Sequence, residues 1–447
     1  MHESLFYREQ MKTNSTNISL NQTTLVFIAD GWARNEFLSL LDEGLLPGIK
    51  QLIEMGGSTR DVISNVPSIS IASHLSIMTS SYICDHQICA HRWLDRKNHR
   101  FRNYLGLRGI RQANREVKTP YLSFFSNFPG KTLAIQQPLT LDADQGVFAP
   151  SFKGKDIIEK ASKAIQNHSF CRAVIWLPKV DELSHKFGPK SESVKKEMIE
   201  TSAALATMIE ELRRSERLSN TRIVFVPDHG QKTVTHPKGA KVEKLLRKSG
   251  IRAKTNSHFF YKKNLVCTSG DSFAQIYLQN KTPALCKKIA VDMSECKEIE
   301  IACWKEDDLW FFAGRRGISK AKILGETKVW YSLVQGADPL GLEKTGEINI
   351  SQPSLSSGYY PDFLHQVIRS YVPNKSGDIF LFASEEFHFG RSPRVGWNFG
   401  KHKGSHGGPL FDEVVVTAVC YGFGSGLPKG PIRSADLLKS LDLIGAA

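Results

Sequence analysis

The sequence predicts an α/β fold, with a mostly parallel central sheet flanked by helices and an inserted α+β cap. Three observations carry this. Five short apolar runs, at 25–29, 173–177, 223–226, 379–383 and 414–419, do not alternate with polar residues, as expected of strands buried on both faces. Amphipathic segments lie between them: Val194, Met198, Leu205, Ile209 and Leu212 recur at helical spacing, and 155–166 reads as a second helix. Strands separated by helices imply parallel crossovers. The stretch 242–373 differs, because it holds hairpin-like pieces at 267–279, around Ser269-Gly270-Asp271, and at 299–314, around Glu306-Asp307-Asp308. The expected layout is a polar extension over 1–23, a core over 24–241 and 374–447, and a cap over 242–373. The chain is expected to rejoin the core sheet near Gly377.

A chain of 447 residues can bury a large core and carry an insertion. Its 41% hydrophobic and 23% charged content excludes a disordered or low-complexity chain. The net charge of +14 draws anions such as phosphate esters, nucleic acid or anionic lipid. The eight cysteines form no CxxC pair, which excludes a zinc ribbon and a thioredoxin-type centre. Reduced thiols, and hence a reducing, cytoplasmic location, are the expectation. Residues 1–20 lack an apolar signal-peptide core, and no run of about 18 apolar residues exists to cross a membrane.

In an open α/β sheet, ligands gather beyond the carboxyl ends of the strands. Asp30-Gly31 follows the first apolar run, and Asp181 to His185 follow the second. Asp228-His229-Gly230 follows the third, and Gly404-Ser405-His406-Gly407 precedes the last. Carboxylates mixed with imidazoles suit Zn2+ or a similar divalent ion. The glycines let backbone approach closely. Asp181 and His185 are four apart, so a helical turn points both the same way. Ser70, in a hydroxyl-rich segment, has two readings: a simple helix N-cap, or a nucleophile heading a helix whose free amides hold a phosphate oxygen.

Together these motifs resemble the alkaline phosphatase superfamily, and within it the type I phosphodiesterase/nucleotide pyrophosphatase branch. The resemblance covers about 24–95, 172–236 and 376–445. It rests on Asp30, on the spacing Pro67–Ser70–His74, on Asp181, His185, Gly188 and Pro189, on Asp228-His229-Gly230, and on Gly404-Ser405-His406-Gly407. It implies an alkaline phosphatase-like core binding two divalent ions, Zn2+ with Mn2+ as the alternative, about 4 Å apart. Asp181, His185 and His406 would hold one; Asp30, Asp228, His229 and the Ser70 oxygen would hold the other. It also implies hydrolysis of a phosphate ester through a phosphoserine at Ser70. Relatives carry Asn where this chain has His91, whose imidazole can donate the same hydrogen bond to phosphate.

Neighbouring subfamilies fit less well. Sulfatases need x-Pro-x-Arg after the nucleophile, where Ser70 is followed by Ile-Ala-Ser-His. Alkaline phosphatases proper have Asp before the serine, here Ile69, and the Asn-Ser-Glu of cofactor-independent phosphoglycerate mutases is absent. Residues 91–118 hold nine Lys/Arg against Asp95 and Glu116, with Trp93, Phe101 and Tyr104 interleaved. That composition suits an anionic phosphate ester such as a nucleotide, with nucleic acid as an alternative partner. Phosphomonoester or phosphonate hydrolysis, phosphotransfer, and a non-catalytic binding role are the competing functions.

Overall fold

The computed structural model describes residues 22–117, 122–257, 263–390, 402–424 and 429–444. Most of the expected polar extension therefore lies outside the described residues. An eight-stranded mixed sheet runs in the order Ile432–Arg433, Ser58–Ile63, Val415–Tyr421, Thr221–Pro227, Thr23–Ala29, Cys171–Leu177, Lys131–Ile135 and Gln145–Val147. The central strand Thr23–Ala29 is parallel to both neighbours. Its alternate residues feed two cores. Leu25, Phe27 and Ala29 pack with helices Gly154–Gln166 and Glu192–Arg214, while Val26 and Ile28 pack with Val62, Phe124 and Leu437 on the other face. Burial on both faces is why this strand is an unbroken apolar run.

Register then fixes the site. Ala29 lies opposite Leu177 on one side and Pro227 on the other, so three parallel strands end level. The residues that follow them, Asp30, the helix Lys179–Phe187, and Asp228, start from one edge. Val415–Tyr421 was expected in a mostly parallel sheet; it runs antiparallel to Thr221–Pro227. The reason is geometric. His406 precedes its strand whereas the other acidic and histidine residues follow theirs, so only an antiparallel strand brings it to the same edge.

A second sheet of nine strands spans Ala253–Thr255 to Gly346–Asn349 in spatial order, with Ile379–Ala383 as its fourth strand. The hairpins Asn264–Ser269/Phe273–Tyr277 and Ile299–Glu306/Leu309–Gly314 belong to it. The expected return of 379–383 to the core sheet is overturned, since this strand pairs antiparallel with Phe273–Tyr277 and Ile299–Glu306. A fully apolar run reads the same in any central strand, so composition could not choose the sheet. Cys267, Phe273 and Phe382 of this sheet share a core with Ile69, Ile71, Ala72 and Leu75. The second sheet thus packs against helix Ser70–Thr79.

Among the described residues no helix is long and apolar enough to cross a membrane.

Candidate active site

The edge of the first sheet gathers the polar residues in two groups. In one, Asp181, His185 and His406 each offer a ligand atom, and these atoms lie within 4.8 Å of one another; Asp30, Asp228 and His229 form the other. His185 Nε2 is 3.3 Å from Asp181 Oδ1, and His406 Nε2 is 3.6 Å from the same oxygen. His229 Nε2 is 3.4 Å from Asp30 Oδ1 and 3.5 Å from Asp228 Oδ2. Ser70 Oγ approaches His229 Nε2 at 3.2 Å.

Local chain geometry makes this crowding feasible. Asp181 and His185 sit one turn apart on helix Lys179–Phe187. Gly31, at φ +69°, would place a Cβ 3.0 Å from the Asp181 Cβ, so a larger residue would push the first two strand ends apart. Ser70 is the first residue of its helix rather than its cap, because Ile69 has the extended backbone of the N-cap position. Its hydroxyl is thereby free to face His229, and the amides of Ser70 and Ile71 lie in the first turn, where no preceding helical carbonyl is available.

Each histidine is oriented through its other nitrogen. His185 Nδ1 is 3.0 Å from Gly404 O, His229 Nδ1 is 3.0 Å from Gly230 O, and His406 Nδ1 is 2.8 Å from Ser68 O. A carbonyl only accepts, so each Nδ1 carries the proton and each Nε2 turns a lone pair inward. The carboxylates are oriented too: Trp176 Nε1 donates to Asp30 Oδ2 at 2.7 Å, His74 Nε2 meets Asp228 Oδ2 at 3.1 Å, and Gln231 Nε2 donates to Asp181 Oδ1.

These groups fit divalent cations. Among the described residues Asp30 Oδ1 is buried with no hydrogen-bond partner, and what faces it is the lone pair of His229 Nε2. Burial, with the Asp228 and Asp181 carboxylates beside it, pushes the Asp30 carboxyl well above its usual range. Burial also works upward on Asp181 and Asp228, yet in the ion-free site the positive charge of a facing protonated histidine outweighs it and holds both below the usual carboxylate range; the lone-pair form is the one an ion would bind. Burial and the facing His229 hold His406 down at about 3, leaving the neutral imidazole a metal requires. Buried acceptors converge here, and the unsatisfied Asp30 Oδ1 among them is what a cation would satisfy.

His91 lies before the strand Arg92–Asp95, and Arg92 N donates to Ser269 Oγ at 3.2 Å. The neighbouring Gly270 lies close to Ile69, the residue before Ser70. The aromatics of the basic segment are not platforms for bases: Trp93, Phe101 and Tyr104 are buried in the core. Arg96 pairs with Asp378, and Arg102 with Asp95 and Glu116. Sequence reasoning assigned no role to Trp176, His74 or Gln231. His74, one helical turn after Ser70, and Gln231, directly after Asp228-His229-Gly230, carried a positional signal; Trp176, in an apolar strand, carried none.

A family profile described as type I phosphodiesterase/nucleotide pyrophosphatase matches residues 24–119 and 156–408. Among solved structures, phosphonoacetate hydrolase from Sinorhizobium meliloti 1021 in complex with phosphonoformate is similar at 16% identity and TM-score 0.59, covering 95% of this chain and 96% of that one. Murine ectonucleotide pyrophosphatase/phosphodiesterase 5, as an inactive variant in complex with AMP, is similar at 14% identity and TM-score 0.60 over 95% and 96% of the two chains. The human form of that protein gives 13% identity and TM-score 0.60 over the same shares. With the profile spanning well over half its length, this chain belongs to the metal-dependent type I phosphodiesterase/nucleotide pyrophosphatase family of the alkaline phosphatase superfamily and is a phosphoric ester hydrolase.

Proposed function

We propose that the chain cleaves phosphate diesters or pyrophosphates by nucleophilic attack of Ser70 at a site for two divalent ions, Zn2+ with Mn2+ as the alternative. One observation carries this reading: the Ser70 hydroxyl lies 3.2 Å from an imidazole nitrogen that also faces Asp30 and Asp228. Asp181, His185 and His406 would hold one ion; Asp30, Asp228, His229 and Ser70 Oγ would hold the other. When bound, such ions supply a Lewis acid for the phosphoryl group and lower the pKa of the serine hydroxyl.

The residues of the chain do the rest. Ser70 Oγ forms the bond to phosphorus as the bond to the leaving oxygen breaks, giving a phosphoserine. In this reading the Ser70 and Ile71 amides at the helix start would hold a phosphate oxygen, and the His91 imidazole would donate a further hydrogen bond. Water then forms the new bond to phosphorus, the Oγ–P bond breaks, and Ser70 is restored. Relatives crystallised with AMP and with phosphonoformate support a small phosphorus-containing anion as substrate. The comparable likeness to phosphonoacetate hydrolase makes phosphonate hydrolysis the second reading. A reducing, cytoplasmic location is part of the same proposal.

The test is turnover of p-nitrophenyl phosphodiesters, monoesters and phosphonates by the wild type and by Ser70→Ala, with metal content measured on both. Ser70→Ala is expected to keep its metal and lose turnover. Full activity in that variant would reject the nucleophile.

A further inference from the structure

We propose that Asp271, at the tip of a hairpin in the second sheet, is a positioning residue that fixes the His185 imidazole for its ion, with His402 held against it. This rests on the metal-site reading above. His185 presents Nε2 to Asp181, and around its Nδ1 lie three groups: Gly404 O at 3.0 Å, His402 Nδ1 at 3.1 Å and Asp271 Oδ2 at 3.5 Å. Asp271 Oδ2 and His402 Nδ1 are themselves 2.9 Å apart. All three side chains are buried.

His185, Asp271 and His402 are close enough to hold an ion of their own. The protonation pattern argues against that use. Gly404 O can only accept, so His185 Nδ1 carries a proton, and a protonated nitrogen cannot ligate. A buried carboxylate behind the N–H of a ligating histidine fixes the ring and raises the basicity of the opposite nitrogen. Among the described residues only acceptor carbonyls back His229 and His406 at Nδ1, so within that set His185 is the one given a carboxylate as well.

The fold delivers Asp271 deliberately. The turn between Asn264–Ser269 and Phe273–Tyr277 carries it at φ 62°. Next to it, Ser272 N donates to His406 O at 2.9 Å, and Ser272 Oγ meets Ser405 Oγ at 2.8 Å. One turn of the second sheet therefore clamps the backbone of one candidate ligand and backs the side chain of another. His402 is held in its turn by its amide on Pro237 O at 3.2 Å and by the His388 ring at 5.0 Å.

The test is Asp271→Asn, which keeps the size and tolerates positive φ, with His402→Gln as a second variant. Metal-free proteins are titrated with Zn2+ against a chromophoric chelator. Ions per chain at saturation, turnover, and the thermal midpoint of the metal-free form are measured alongside. Asp271→Asn is expected to bind as many ions as the wild type, with affinity for one of them weaker by roughly 10- to 100-fold. Its metal-free midpoint should be unchanged, and excess Zn2+ should restore its turnover. His402→Gln should shift the same affinity in the same direction by less. Unchanged Zn2+ affinity in both variants would overturn the proposal. So would loss in Asp271→Asn of an ion that the wild type holds beyond two, which would make Asp271 a ligand. A wild type that binds no Zn2+ would instead reject the metal site itself, so the two failures are distinguishable.

Discussion

Replacing Trp176 by Phe isolates one hydrogen bond at the candidate site. Trp176 is the next-to-last residue of its strand and lies opposite Ile28, so its indole reaches past the strand end to Asp30. Its Nε1–H donates to Asp30 Oδ2 at 2.7 Å, while its ring meets His74 edge-on at 5.8 Å. Phe retains most of the ring packing and removes the donor. A hydrogen bond to a charged group contributes about 1.5–3 kcal/mol. Trp176 is half-buried, so water can partly replace the indole and the lower figure applies. At 1.36 kcal/mol per factor of ten, affinity for the ion that Asp30 would hold should fall about tenfold. The Asp30 carboxyl is already raised, by burial first and then by Asp228 and Asp181, and the indole counteracts this. Removing it lets protons compete better, so the deficit should grow as pH falls. Competitive Zn2+ titration at several pH values reads both effects. Equal affinities of the two proteins at every pH would refute the assignment of Asp30 as a ligand held by Trp176.

Two further perturbations test the same geometry. Asp30 has a folded-state pKa raised above its unfolded value in the metal-free protein, so its contribution to stability is present at low pH and lost as pH rises through the folded pKa. Metal-free Asp30→Asn should therefore be more stable than metal-free wild type above that pKa, with the advantage vanishing in acid; urea denaturation as a function of pH reads it. A Cβ at Gly230 would stand 2.1 Å from Asp412 O, so Gly230→Ala should cost about 1–3 kcal/mol by overpacking. Because Gly230 O also anchors His229 Nδ1, chelator competition should show weaker metal binding in that variant as well.

Much of the site was legible because its residues obey local rules. Asp30 and Asp228 follow strands that end in register, and Asp181 and His185 are one helical turn apart, so strand ends and spacing gathered them at one edge, while their division into two groups came from the family resemblance. The orientation of Val415–Tyr421 was implicit in His406 preceding its strand. What stayed hidden depends on tertiary contacts. Asp271 read as a turn residue of a hairpin, and only the packing of the second sheet on helix Ser70–Thr79 brings it behind His185. Trp176 looked like one more apolar strand residue because the indole N–H leaves no pattern in sequence. Trp93 and Tyr104, whose basic neighbours suggested a surface for a nucleotide, are core residues, since interleaving with arginines says nothing of which way a ring faces. Ile379–Ala383 shows the same limit at the level of the fold: burial on both faces is legible, the identity of the sheet is not.

The most direct test is the stereochemical course at phosphorus. Hydrolysis of a chiral phosphorothioate diester in isotopically labelled water, followed by analysis of the product configuration, reports the number of displacements. Attack by Ser70 followed by water comprises two in-line steps, so retention is predicted. Inversion would mean that water attacks the substrate in a single step and that Ser70 is not the nucleophile.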